Sequence, residues 1–111
     1  VAGVCDNVPK QGIDAVTCTC DRPLPATCEG LALPQRVQKL SARACRLFGN
    51  AVDASPGRKR HRLRQGVRAL RHAINAVVHA QLHGLAPDCA TDLNDRYRDA
   101  SERASLLADT L

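Results

Sequence analysis

From Leu33 onward, apolar residues recur every three or four positions, whereas the first 32 residues show no helical period. Leu33, Val37, Leu40, Ala44, Leu47 and Ala51 form one stripe, which predicts a helix over about 34–53 that opens at Pro34. Leu63, Val67, Leu70, Ile74, Val77 and Val78 mark the core face of a second helix over about 58–83. Beside them Ala69, Ala73, Ala76 and Ala80 make a small-residue stripe that would let a neighbouring helix come close, and Gly84 is placed to stop the helix. A third helix follows Pro87 over about 87–110, lined by Cys89, Leu93, Tyr97, Ala100, Ala104, Leu107 and Leu111. Short turns between three amphipathic helices predict an all-α, up-down-up bundle over 33–111. Residues 1–32, rich in Cys and Pro, read as an irregular arm, with an extended piece expected at Ala15–Thr19. Arm and bundle together make one domain.

Composition changes this picture in one respect, because the core is thin. The chain has 111 residues, one Phe, one Tyr, no Trp and no Met. Much of its apolar content is alanine, which favours helix but buries little area. Small domains of this kind rely on covalent staples. Six cysteines are present: Cys5, Cys18, Cys20, Cys28, Cys45 and Cys89. An even count at this density points to three disulfides and so to export. Their spacing lacks the paired C-x₂₋₄-C of a zinc site, and no C-x-x-C or C-x-x-C-H motif occurs.

Cys28, just before the first helix, and Cys89, just inside the third, would lie at the same end of an up-down-up bundle. Cys45 is about three turns along its helix, too far from Cys89 for a direct bridge, since disulfide Cα atoms lie within about 7 Å. The expected pattern therefore has Cys45 and Cys89 each tying the arm to the bundle, with the third bridge inside the arm. An exported chain begins after a removed signal, so Val1 is expected to be the first mature residue. Abundant Arg and Ala with few Lys point to a GC-rich, bacterial genome. A secreted or cell-surface setting is expected, with the periplasm as a variant.

Charge is unevenly placed. Between Ala54 and Pro87 lie seven basic residues, Arg58, Lys59, Arg60, Arg62, Arg64, Arg68 and Arg71, and no acid. Several crowd the start of the second helix, where the dipole disfavours positive charge. They are the candidate anion-binding residues. The third helix carries six acids, including Asp92, Asp95, Asp99 and Glu102, and pairing with the basic helix, within the chain or between subunits, is expected to absorb part of the excess. The first helix, with Arg36, Lys39, Arg43 and Arg46, is basic too, so an excess remains. All four histidines also belong to the second helix. His61, His72, His79 and His83 fall within about 40° of one another on the helical wheel, and His79 and His83 are spaced i, i+4. His72, His79 and His83 are thus candidate metal ligands, although a solvated polar face is the plainer reading.

No G-x-S-x-G, paired catalytic carboxylate motif, H-E-x-x-H or phosphate-cradling glycine loop occurs. Disulfide-bonded cysteines cannot act as nucleophiles. The chain is therefore expected to be no enzyme and to need no cofactor. The leading expectation is a non-catalytic exported module with a structural or protein-protein interaction role, a subunit or accessory part of a secreted or surface assembly. A protein partner or self-association fits it. Binding of anionic polymers or head groups through the Arg-rich helix is the alternative, and metal binding by the His stripe is the second. Too few aromatics for base stacking disfavour nucleic acid, and no stretch is apolar enough for a membrane span. The helices and the cysteine spacing resemble no particular family.

Overall fold

A computed structural model describes Cys5 and residues 12–111. It is all-α, with no strand among the described residues. Three long helices follow a short one: α1 (Ile13–Thr17), α2 (Gln35–Ala51), α3 (Pro56–Leu82) and α4 (Pro87–Thr110). Pro56 and Pro87 each open a helix, where a missing N–H costs nothing. At the other end of α3, Gly84 has φ 111° and permits a double cap. The Leu85 amide donates to Ala80 O at 2.9 Å, and the Gly84 amide donates to Gln81 O at 3.3 Å.

Successive long helices run antiparallel. Val37, near the start of α2, packs beside Val77, and Phe48 and Ala51 near its end pack beside Leu63 and Val67. Cys89, Ala90 and Leu93 of α4 join the Val77 cluster, whereas Ala104 and Ala108 join the Leu63 cluster. The α2 and α4 helices each lie along α3 but barely meet one another, so they form an open notch rather than a closed bundle. The α1 turn fills that notch, with Ala15 and Val16 fully buried. The Cα trace measures 42 × 29 × 17 Å, thin because no fourth long helix covers the back of α3.

The arm departs from its sequence reading. Ala15–Thr17 is α-helical and Cys18–Asp21 is a 3₁₀ turn, so the expected extended piece at Ala15–Thr19 is absent. A five-residue helix has no stability alone. Here it is held by the Cys5–Cys18 and Cys20–Cys45 disulfides on its flanks. Arg103 of α4 also donates to Ala15 O at 3.2 Å. Residues 1–4 and 6–11 of the predicted arm lie outside the described residues.

The core differs in two places from the predicted stripes. Val78, expected inside, is 47% exposed. The buried surface of α3 instead includes Gly66, Ala69, Ala73, Ala76 and Ala80, so the small-residue stripe is itself core. Phe48, off the predicted stripe of α2, is the largest side chain among those fully buried. It fits because Gly66 has no side chain: a Cβ there would overlap the Phe48 ring. The absence of one methyl group thus sets how closely α2 approaches α3.

Candidate functional site

The two sides of α3 are built from different chemistry. On the arm side, polar groups are engaged. Cys28 is bonded to Cys89 and Cys20 to Cys45, with Cα–Cα distances of 4.8 and 5.7 Å, and Cys5 to Cys18 at 5.3 Å. This is the expected pairing, two bridges from arm to bundle and one within the arm. Arg22 donates to Asp99 Oδ2 at 2.8 Å, and Arg103 donates to Asp99 Oδ1 at 3.1 Å. Thr27 donates to Asp92 Oδ2 at 2.7 Å, and Arg96 donates to Pro23 O.

Burial works to raise the Asp99 pKa, but the hydrogen bonds and charges of Arg22 and Arg103 outweigh it and hold the carboxyl below its ordinary value. Tyr97 is pushed the other way by burial, partly offset by a hydrogen bond with Ser41. A hollow of about 140 Å³ beside these residues is floored by Phe48, Leu70 and Leu93. It is roofed by Pro23, Leu24 and Pro25 of the arm.

This geometry does not supply the expected neutralisation of the basic helix within the chain. Among the described residues, no Lys or Arg of α3 forms an ion pair with any acid of α4. The reason is rotational. Cys89, Leu93, Ala100 and Ala104 fix the inward face of α4, which turns Asp92 and Asp99 toward the arm. Asp95 pairs with Arg98 on its own helix. Only Asp109 joins basic residues of α3, lining a hollow with Arg64, Arg68 and Arg71 but lying beyond ion-pair distance.

Of the seven predicted anion ligands, Arg64, Arg68 and Arg71 line one hollow with Asp109, and the other four do not join them. Arg58, Lys59 and Arg60 are spread around the first turn of α3, as consecutive helical positions must be, and Arg62, four residues after Arg58, shares the side of Arg58. Arg62 hydrogen-bonds Gln65 on the same helix at 3.4 Å. Arg64 and Arg71 sit at the α4 edge. Arg68 sits between both edges.

A different set does converge, along the α2 edge. One hollow of about 240 Å³ is lined by Leu40, Arg43, Gln65, Arg68, Ala69 and His72. A second, of about 500 Å³, shares His72 with it and adds Arg36, Asn75, Ala76, His79, Ala80 and His83. Together they form one shallow groove between α2 and α3, with no acid among the described residues that line it. The basic residues of α2 supply its second wall: Gln35–Ala51 contains Arg36, Lys39, Arg43 and Arg46 and no acid. Counted together, residues 30–87 hold eleven Lys or Arg against one acid, Asp53.

The histidines are all exposed. The His79 and His83 rings lie 4.5 Å apart between centroids and are tilted. His72 lines the same hollow, but among the described residues no three His, Cys, Asp or Glu side chains are close enough to share a metal ion. No described helix is long and apolar enough to cross a membrane. Comparison with protein-family models, with curated proteins and with solved structures returns no match, so the site is read from its own chemistry.

Proposed function

We propose that this chain is an exported, non-catalytic binding module whose partner-facing surface is the outer side of α3. The observation behind this reading is the asymmetry about α3: on one side the arm packs between α2 and α4 and is cross-linked to both, whereas on the other no described element covers α3. A helix that serves only to complete a core needs no such uncovered face, free of acids and carrying Arg64, Arg68, Arg71 and the histidines. Three disulfides favour an oxidising compartment and thus a secreted or cell-surface setting, since the cytosol keeps thiols reduced.

The test is to recover the protein from its native source, count free thiols and identify what co-purifies. No free thiol is expected, together with a partner whose retention falls when Arg43 and Arg68 are changed to Glu. Six free thiols would overturn the exported reading. Retention indifferent to those changes would overturn the choice of surface.

A protein partner or a second copy of the chain would use the same open face as an assembly subunit. Self-association is read by light scattering at micromolar concentration, where a strict monomer counts against it.

A further inference from the structure

We infer that the α2–α3 groove holds a linear polyanion, a single chain bearing sulfate or phosphate groups and no bases, and holds it more tightly as the pH falls. This rests on the proposal that the outer side of α3 is a binding surface and adds the ligand class and its regulation.

Length is the first argument. The groove runs from Gln65 to His83, a distance of about 27 Å at 1.5 Å per helical residue. Its cations are distributed rather than focused: Arg43 and Arg68 at one end, Arg36 at the other, with His72 between. A lone anion would need one cluster, whereas a chain with repeating charges meets all of them.

Width is the second argument. Ala69, Ala76 and Ala80 lie buried where α3 faces α2, and helices in contact through small side chains sit about 8 Å apart. That leaves room for one extended strand. The alanine floor offers little apolar area to anchor a partner helix. It also has no Phe, Tyr or Trp on which a base could stack: Phe48 is buried, Tyr97 faces the arm-side hollow, and the only rings in the groove are the three imidazoles. Charge therefore dominates recognition, and the ligand is a polymer whose chemistry is its charge.

The histidines supply the pH dependence. Imidazole is the side chain that gains charge between pH 8 and 5. His72, His79 and His83 line the groove beside Arg36 from α2 and Asn75 from α3, with Arg43 and Arg68 at its other end. No carboxylate faces them from either helix. Protonation would raise the cationic groups of the groove from three to six. Two imidazolium rings at the His79–His83 separation repel one another, and a bound anion between them relieves that repulsion.

The test measures heparin and inorganic polyphosphate binding by fluorescence anisotropy across a salt series, at pH 8 and pH 5.5. Both polymers are expected to bind, with affinity falling steeply with salt and rising at least tenfold from pH 8 to pH 5.5. A preference between them identifies sulfate or phosphate as the better group. Arg36→Gln, Arg43→Gln and Arg68→Gln combined should weaken binding at least tenfold. Arg46→Gln, Arg58→Gln and Arg98→Gln, which remove the same charge outside the groove, should cost under threefold. The triple His72→Gln, His79→Gln, His83→Gln should abolish the pH effect while keeping the pH 8 affinity.

Equal losses in the two arginine triples would overturn the groove, and a flat pH profile would overturn the histidine role. Tighter binding of a single-stranded oligonucleotide than of heparin would overturn the ligand class. No polyanion binding at low salt and pH 5.5, with a co-purifying partner still lost on changing Arg43 and Arg68, would sink this inference and leave the binding-module proposal standing.

Discussion

The two sides of α3 show what fixes a surface and what leaves one free. On the arm side, Arg22, Arg103 and Thr27 find Asp99 and Asp92, and two disulfides hold the arm in register. On the outer side, Arg36, Arg43, Arg68 and the histidines line a groove without a counter-charge. Both sides belong to the same helix in the same small domain. The difference is that Asp92, Asp99 and the cysteines lie where the arm packs, while no acid lines the described part of the α2–α3 groove. Paired charges there serve the fold, and unpaired charges opposite add nothing to it.

This contrast can be broken most forcefully by releasing the arm. The Cys28–Cys89 bridge closes a separation of 61 residues, and loop-closure entropy assigns such a link about 4 kcal/mol of stability. Cys5–Cys18 closes only 13, for about 3 kcal/mol by the same relation. Replacing Cys28 and Cys89 by Ser should therefore lower stability more than replacing Cys5 and Cys18, as read by urea denaturation.

Next in size is Gly66. Gly66→Ala forces Phe48 aside and should cost about 1–3 kcal/mol, as overpacking of a filled core does. Gly49→Ala, inside α2 with nothing near its added methyl, should instead gain about 0.5–1 kcal/mol from helix propensity. Opposite signs in thermal melts would verify that close approach, and not glycine flexibility, is what Gly66 provides.

Smaller still is Asp99. Its depressed pKa means that the pairing stabilises the fold above the unfolded carboxylate value, about 3.9, and is lost as the pH falls through the lower folded value. Asp99→Asn should cost about 0.5–1 kcal/mol at pH 7, in the range of partly exposed ion pairs. The gap from the unsubstituted protein should close as the pH falls through the lowered folded value. A constant gap from pH 7 to pH 2 would mean that the loss is one of packing. The smallest effect is expected on the outer side. Arg68→Gln or His79→Gln should move stability by less than about 0.5 kcal/mol, because neither makes an intramolecular bond.

How much of this was legible in the sequence depended on whether local pattern or tertiary contact decided each element. The three long helices were, because Val37, Leu63, Val67, Leu70 and Leu93 repeat at helical spacing and Pro34, Pro56, Pro87 and Gly84 punctuate them. The disulfide pattern followed from bundle geometry alone. The α1 turn did not, since its helicity is imposed by flanking bridges and by Arg103, 88 residues away from Ala15. Phe48 was missed because its place in the core depends on a glycine of another helix. The charge pairing failed for a related reason: the composition of α4 showed its acids, but only its rotation shows that Asp92 and Asp99 face away from α3. The groove needed both α2 and α3, and neither helix alone displays it.

The placement of Cys28 and Cys89 also bears on survival outside a cell. Both interhelical turns, 52–55 and 83–86, lie between these two cysteines in sequence, as does the link 29–34. A protease that cuts any one of them opens the backbone but severs nothing, for the two pieces remain joined through sulfur. The chain can thus be nicked at any one of these connections and still sediment, and present its groove, as a single molecule, whereas cuts in both interhelical turns would free α3, which carries no cysteine.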